Sequence, residues 1–150
     1  MCDCMKKLIS LVLAALCILG LLGCSNKESK VWAWAQGLTQ ESILAATPWR
    51  HDEEHKVLDP LNATETLELV TLLNKLTKDS FTENKHLVGI TPTFGIQIKI
   101  ASETFNINFA PSPYGKYGTL EIGYDEKMWW IDNAELSDFV QRVTGTTAPE

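Results

Sequence analysis

Two neighbouring segments alternate so cleanly that they leave the backbone little choice. In Phe94 to Ile100 the apolar residues Phe94, Ile96, Ile98 and Ile100 alternate with Gly95, Gln97 and Lys99. In Thr104 to Phe109, Phe105, Ile107 and Phe109 alternate with Thr104, Asn106 and Asn108. A period of two puts every apolar side chain on one face of a strand, whereas a helix would scatter them around its axis. Only Ala101, Ser102 and Glu103 separate the two runs, so they pair as a hairpin. Leu120, Ile122 and Tyr124 repeat the pattern, and the "DEK" triplet links them to "MWWI", a second hairpin. The product is an antiparallel sheet with one covered face and one wetter face. The stretch His86 to Thr91 is a candidate for one more strand.

Two segments carry the helical period that covers such a sheet. Asn62 stands as N-cap with Glu65 in capping-box position, ahead of an apolar stripe of Leu69, Val70, Leu72, Leu73 and Leu76. Near the C-terminus Asp132 reads as N-cap and Glu135 as N3, with Leu136, Phe139, Val140 and Val143 on one face and Gly145 at the stop. "KVWAWAQ" reads as a strand with Trp32 and Trp34 on one face, and Val31, Ala33 and Ala35 on the other. A short helix is expected between Thr39 and Pro48, a charged loop from Pro48 to Asn62, and a polar closing stretch at "DSFTENK". A chain of 150 residues that is 45% apolar can bury one core. The expected fold class is therefore α+β: an antiparallel sheet of about 4 to 6 strands packed against two amphipathic helices, as a single domain over residues 30–147.

The first 23 residues do not belong to that core. Lys6 and Lys7 precede an uncharged run from Leu8 to Leu22, too short for the roughly 20 residues of a membrane span but suited to a signal-peptide core. Leu21, Leu22, Gly23 and Cys24 then follow. This order resembles the signal peptide and lipobox of bacterial lipoproteins. The resemblance implies cleavage of a signal helix, residues 1–23, and a diacylglyceryl group on Cys24. Residues 24–29 would form a short lipidated tether, and the domain would face the extracytoplasmic side of a cell membrane or envelope. The mature part is also similar to small uncharacterised lipoprotein domains of Gram-positive bacteria, which brings no known activity with it.

Cleavage would change what chemistry is left. Cys2, Cys4, Cys17 and Cys24 all lie at or before the cut, so no thiol remains in the domain for a disulfide, a thiolate metal site or a nucleophile. Eighteen acidic and eleven basic side chains remain, a net charge of −7, which disfavours nucleic acid as a partner. His51, Glu54 and His55 fit the H-x-x-E-H spacing of inverted zinc peptidases, where one helical turn aims both imidazoles at a metal. Here the motif stands between Pro48 and Pro60 without an apolar stripe. It reads as a solvated loop, with His51 and His55 as weak metal candidates. No glycine-rich phosphate loop or G-x-S-x-G nucleophile motif occurs, and no cofactor is expected.

Aromatic residues are the other candidates. On a strand, Trp32 and Trp34 would lie about 6 to 7 Å apart on one face, a spacing that suits stacking on a sugar or a partner's aliphatic surface. Tyr114 and Tyr117 lie in the Pro/Gly segment "APSPYGKYGT", where a loop on a rigid sheet could present them. The leading expectation is a membrane-anchored, non-enzymatic binding or protein-interaction module acting on an envelope protein or glycan. The alternatives are a small metal-dependent hydrolase built on His51, Glu54 and His55, or a glycan-binding lipoprotein using exposed Trp and Tyr.

Overall fold

A computed structural model describes residues 30–85, 91–113 and 118–146. Cys24, Tyr114, Tyr117 and the first five residues of the His86–Thr91 stretch lie outside the described residues. The chain runs through α1 (Val31–Gly37), β1 (Ile43–His51), β2 (His55–Val57), α2 (Ala63–Asn74), β3 (Phe81–Glu83), β4 (Phe94–Ile100), β5 (Thr104–Phe109), β6 (Leu120–Tyr124), β7 (Lys127–Ile131) and α3 (Ala134–Thr144). The strands form one sheet in the order β2-β1-β4-β5-β6-β7-β3, every pair antiparallel. The α+β class is as expected, but among the described residues the sheet has seven strands and carries three helices.

The central hairpins follow the alternation. Ile96, Ile107 and Ile122 lie in register across three strands and are fully buried. Phe94 and Phe109 stack with centroids 4.4 Å apart. Leu69, Leu73 and Leu76 from the α2 region, and Leu136, Phe139 and Val140 from α3, close the core over this face. Each fully buried aliphatic side chain contributes about 1.5–3 kcal/mol by leaving water. The α2 cap is reciprocal: Asn62 Oδ1 accepts from the Glu65 amide, and the Glu65 carboxylate accepts from the Asn62 amide, both at 3.0 Å. At α3 the cap is Asn133, one residue beyond the expected Asp132, because its Oδ1 accepts from the Leu136 amide at 2.8 Å. Gly145, at φ 67°, ends α3 in the left-handed conformation.

Four local expectations give way, each for a physical reason. "KVWAWAQ" is helix, not strand: Val31, Ala35 and Leu38, spaced i, i+4, i+7, are the buried residues, while Ala33 is exposed. The visible alternation of Trp and Ala masked that longer period. The expected helix from Thr39 is a single 3-10 turn at Gln40–Ser42, followed by the longest strand of the sheet. Pro48 is no stop there. The Pro48 carbonyl accepts from Leu58, on the side away from β4, so the missing proline donor also faces the outer side of β1 and no β1–β4 ladder bond is lost. The Pro48–Asn62 loop contains the hairpin of β1 and β2, with Trp49 opposite Val57 and His51 opposite His55. "DSFTENK" holds a 3-10 turn and β3, whose three residues are too few to show a period. Both edge strands, β2 and β3, are only three residues long, which limits edge-to-edge pairing with other chains.

Candidate functional site on the open face of the sheet

The residues that alternate with the core build the opposite face, and their register brings them into one transverse row. Val57 opposes Trp49, Trp49 opposes Gly95, Gly95 opposes Asn108, Asn108 opposes Glu121, and Glu121 opposes Trp130. The row changes character along its length. Trp130 and Glu121 are 4% and 8% exposed, whereas Val57 is 62% exposed at the outer edge. A cleft of about 340 Å3 opens over the exposed half, lined by Trp49, His55, Val57, Gln97, Asn106 and Asn108 among others. This lies at the lower end of small-molecule sites, about 300–1,000 Å3.

Gly95 stands between Trp49 and Asn108 in the row, where no side chain would fit. A Cβ there would run into the Ile107 carbonyl oxygen and lie 3.0 Å from Asn108 Oδ1. With hydrogen in its place, β5 approaches closely and the Asn108 side chain packs over the Gly95 backbone. The Asn108 amide hydrogen-bonds the Glu121 carboxylate, whose acidity is set mainly by burial: desolvation pushes its pKa up, and the Asn108 donor pulls it partly back. The Asn108 Oδ1 is left buried without a hydrogen-bond partner. One step along the strands, Gln97 Nε2 donates to Asn106 Oδ1 at 3.4 Å, so two more amides stand beside the ring. The Trp49 ring itself is braced by His55, centroid to centroid 5.4 Å.

The residues singled out from sequence are distributed differently. Trp32 and Trp34 lie on a helix, where positions i and i+2 point to nearly opposite sides, so they form no common platform. Trp34 packs on Phe105 and Tyr124, with centroids at 4.5 and 5.9 Å. Trp32 is half-buried, with the ammonium groups of Lys30 and Lys78 at 5.4 and 5.9 Å from its ring. His51 and His55 face each other across β1 and β2 with ring centroids 6.5 Å apart, and Glu54 sits in the turn between them. A hairpin replaces the helical turn that the peptidase motif requires. Among the described residues, no three His, Cys, Asp or Glu side chains converge as a metal site.

A larger groove of about 650 Å3 runs between α2 and α3. Four of its five charged groups pair across it, Arg142 with Glu68 at 2.6 Å and Lys75 with Glu135 at 3.1 Å, and Asp138 is the fifth. These exposed pairs add at most about 1 kcal/mol each. Trp49 is among the site residues that sequence reading missed. Its signal was present in the alternation Thr47, Trp49, His51, hidden by the proline at 48. No protein-family model, curated protein or solved structure matches the chain.

Proposed function

We propose that the protein is a lipid-anchored, extracytoplasmic binding module without catalytic activity, held at the membrane through Cys24 and working through the cleft beside Trp49. The observation that supports the binding reading most is the trough between Trp49 and Asn108. An aromatic face, a cavity and the side-chain amides of Gln97 and Asn106 meet there on the sheet. The anchor rests on the ordered series of basic start, apolar core and lipobox in residues 1–24. Two acyl chains suffice to hold a protein on a bilayer, since each buried methylene adds about 0.8 kcal/mol.

The two parts of this reading fit one geometry. Lys30, the residue after the tether, lines a pocket with Trp32, Tyr124 and Lys127, near the β6–β7 turn. Tyr124 shares the helix-covered face with Ile122, whereas the cleft occupies the other face. Lys30 therefore lies away from the face that carries the cleft.

Fatty-acid labelling and fractionation of cells expressing wild type and Cys24→Ala test the anchor. Wild type should carry the label and sediment with membranes, and Cys24→Ala should do neither. Equal behaviour would overturn the anchor. For binding, immobilised wild-type protein should retain envelope material that Trp49→Ala does not; equal retention would overturn the cleft's role.

A further inference from the structure

We infer that the cleft beside Trp49 is a saccharide site, taking a short, uncharged sugar chain whose ring lies on the indole and whose hydroxyls meet the side-chain amides. The inference rests on the binding-module reading and names its ligand class. Apart from His55, no ionisable side chain lines the cleft, so it offers a phosphate or carboxylate no cationic clamp and a cation no carboxylate cage.

Sugar hydroxyls both donate and accept, and carboxamides present a donor and an acceptor side by side. Gln97, Asn106 and Asn108 supply three of them within two neighbouring strands. Asn108 is held by its bond to Glu121, and its Oδ1 is buried against Gly95, so the amides that an occupant meets first are those of Gln97 and Asn106.

The C–H face of a pyranose is apolar and flat enough to pack on an indole, the side chain best suited to present a broad apolar face with a polar edge. Trp49 stands on a strand rather than a loop, and His55 contacts its ring. Val57 extends the same apolar surface to the sheet edge. The cleft lies on the face of the sheet and runs from the edge strand β2 across β1 and β4 to β5, so an occupant meets side chains over most of its length rather than the free backbone groups that would capture an extended peptide.

The test uses full-length lipidated protein in detergent micelles. It is titrated by calorimetry and tryptophan fluorescence with β-1,4-linked tetrasaccharides of glucose, xylose and N-acetylglucosamine, and with an uncharged tetrapeptide. At least one saccharide should bind with one-to-one stoichiometry. Trp49→Ala should weaken that binding tenfold or more, Gln97→Ala severalfold, and Trp49→Phe should recover most of it. Thr71→Ala, on α2, should change nothing. The inference fails if no saccharide binds, if the tetrapeptide binds as tightly, or if Trp49→Ala leaves saccharide binding intact. If no saccharide binds while retention of envelope material still depends on Trp49, the sugar assignment falls and the binding module stands. If neither depends on Trp49, both fall.

Discussion

Asn108 on β5 and Glu121 on β6 face each other in register on the open side of the sheet, and the Asn108 amide donates to a carboxylate that is almost entirely buried. The pair joins the dry half of the transverse row to its wet half. It also orients the amide that borders the cleft.

Burial raises the Glu121 pKa above the ordinary value of 4.5, and the sign of the pH effect follows. A carboxyl whose folded pKa exceeds its unfolded pKa contributes stability that is fully present below the unfolded pKa and is lost as pH rises through the folded pKa. Glu121→Gln should therefore be more stable than wild type at pH 7, with the advantage shrinking toward pH 4. Asn108→Leu removes the donor that favours the charged form and should steepen the wild-type loss. Urea unfolding at a series of pH values measures both. Parallel curves for wild type and Glu121→Gln would contradict the assignment.

The β6–β7 turn stores strain. Asp125 and Glu126 have φ of 51° and 60°, left-handed values that suit a two-residue hairpin but burden residues with a Cβ. Glu126→Gly should stabilise the protein by about 1 kcal/mol, raising the melting temperature by about 4 °C in thermal unfolding.

The end of α3 depends on two residues distant in sequence. Arg50 Nη1 donates to the Thr144 carbonyl at 3.2 Å, and a Cβ on Gly145 would lie 3.1 Å from that same nitrogen. Gly145→Ala should cost about 1–2 kcal/mol from its backbone conformation alone. Arg50→Ala should cost about 1.5–3 kcal/mol for a charged hydrogen bond. Because they share one cap, the double variant should lose less than the sum of the singles in a denaturant-based mutant cycle.

The tryptophans divide between core and cleft, and stability should follow the division. Trp34→Ala removes a ring packed on Phe105 and Tyr124 and should cost about 2–3 kcal/mol. Trp49→Ala, on the half-exposed face, should cost about 1 kcal/mol or less. Urea midpoints for the two variants make the comparison, and equal losses would contradict the division.

Much of this fold was legible in the chain, and the exceptions share a cause. Long segments with one buried face announced themselves: β4, β5, β6 and α2 appear where their periodicity places them. Short elements did not. In α1 the buried set is only Val31 and Ala35, with Leu38 beyond its end, and the bulky Trp32 and Trp34 imposed a louder, false alternation. In β1 the proline at 48 looked like a terminator, because only the sheet order shows that its missing donor faces the outer side. The candidate site suffered most. Its amides, Gln97, Asn106 and Asn108, read as the polar half of a strand pattern, and only register brings them to Trp49.

The most direct measurement places a photo-crosslinking amino acid at Asn106, in the cleft, or at Thr71, on the groove between α2 and α3, in lipidated protein in its native envelope. Irradiation should yield an adduct from position 106 that disappears when Trp49→Ala is added, and little from position 71. Adducts confined to position 71, or an adduct at 106 indifferent to Trp49, would contradict the account that this protein works through the open face of its sheet.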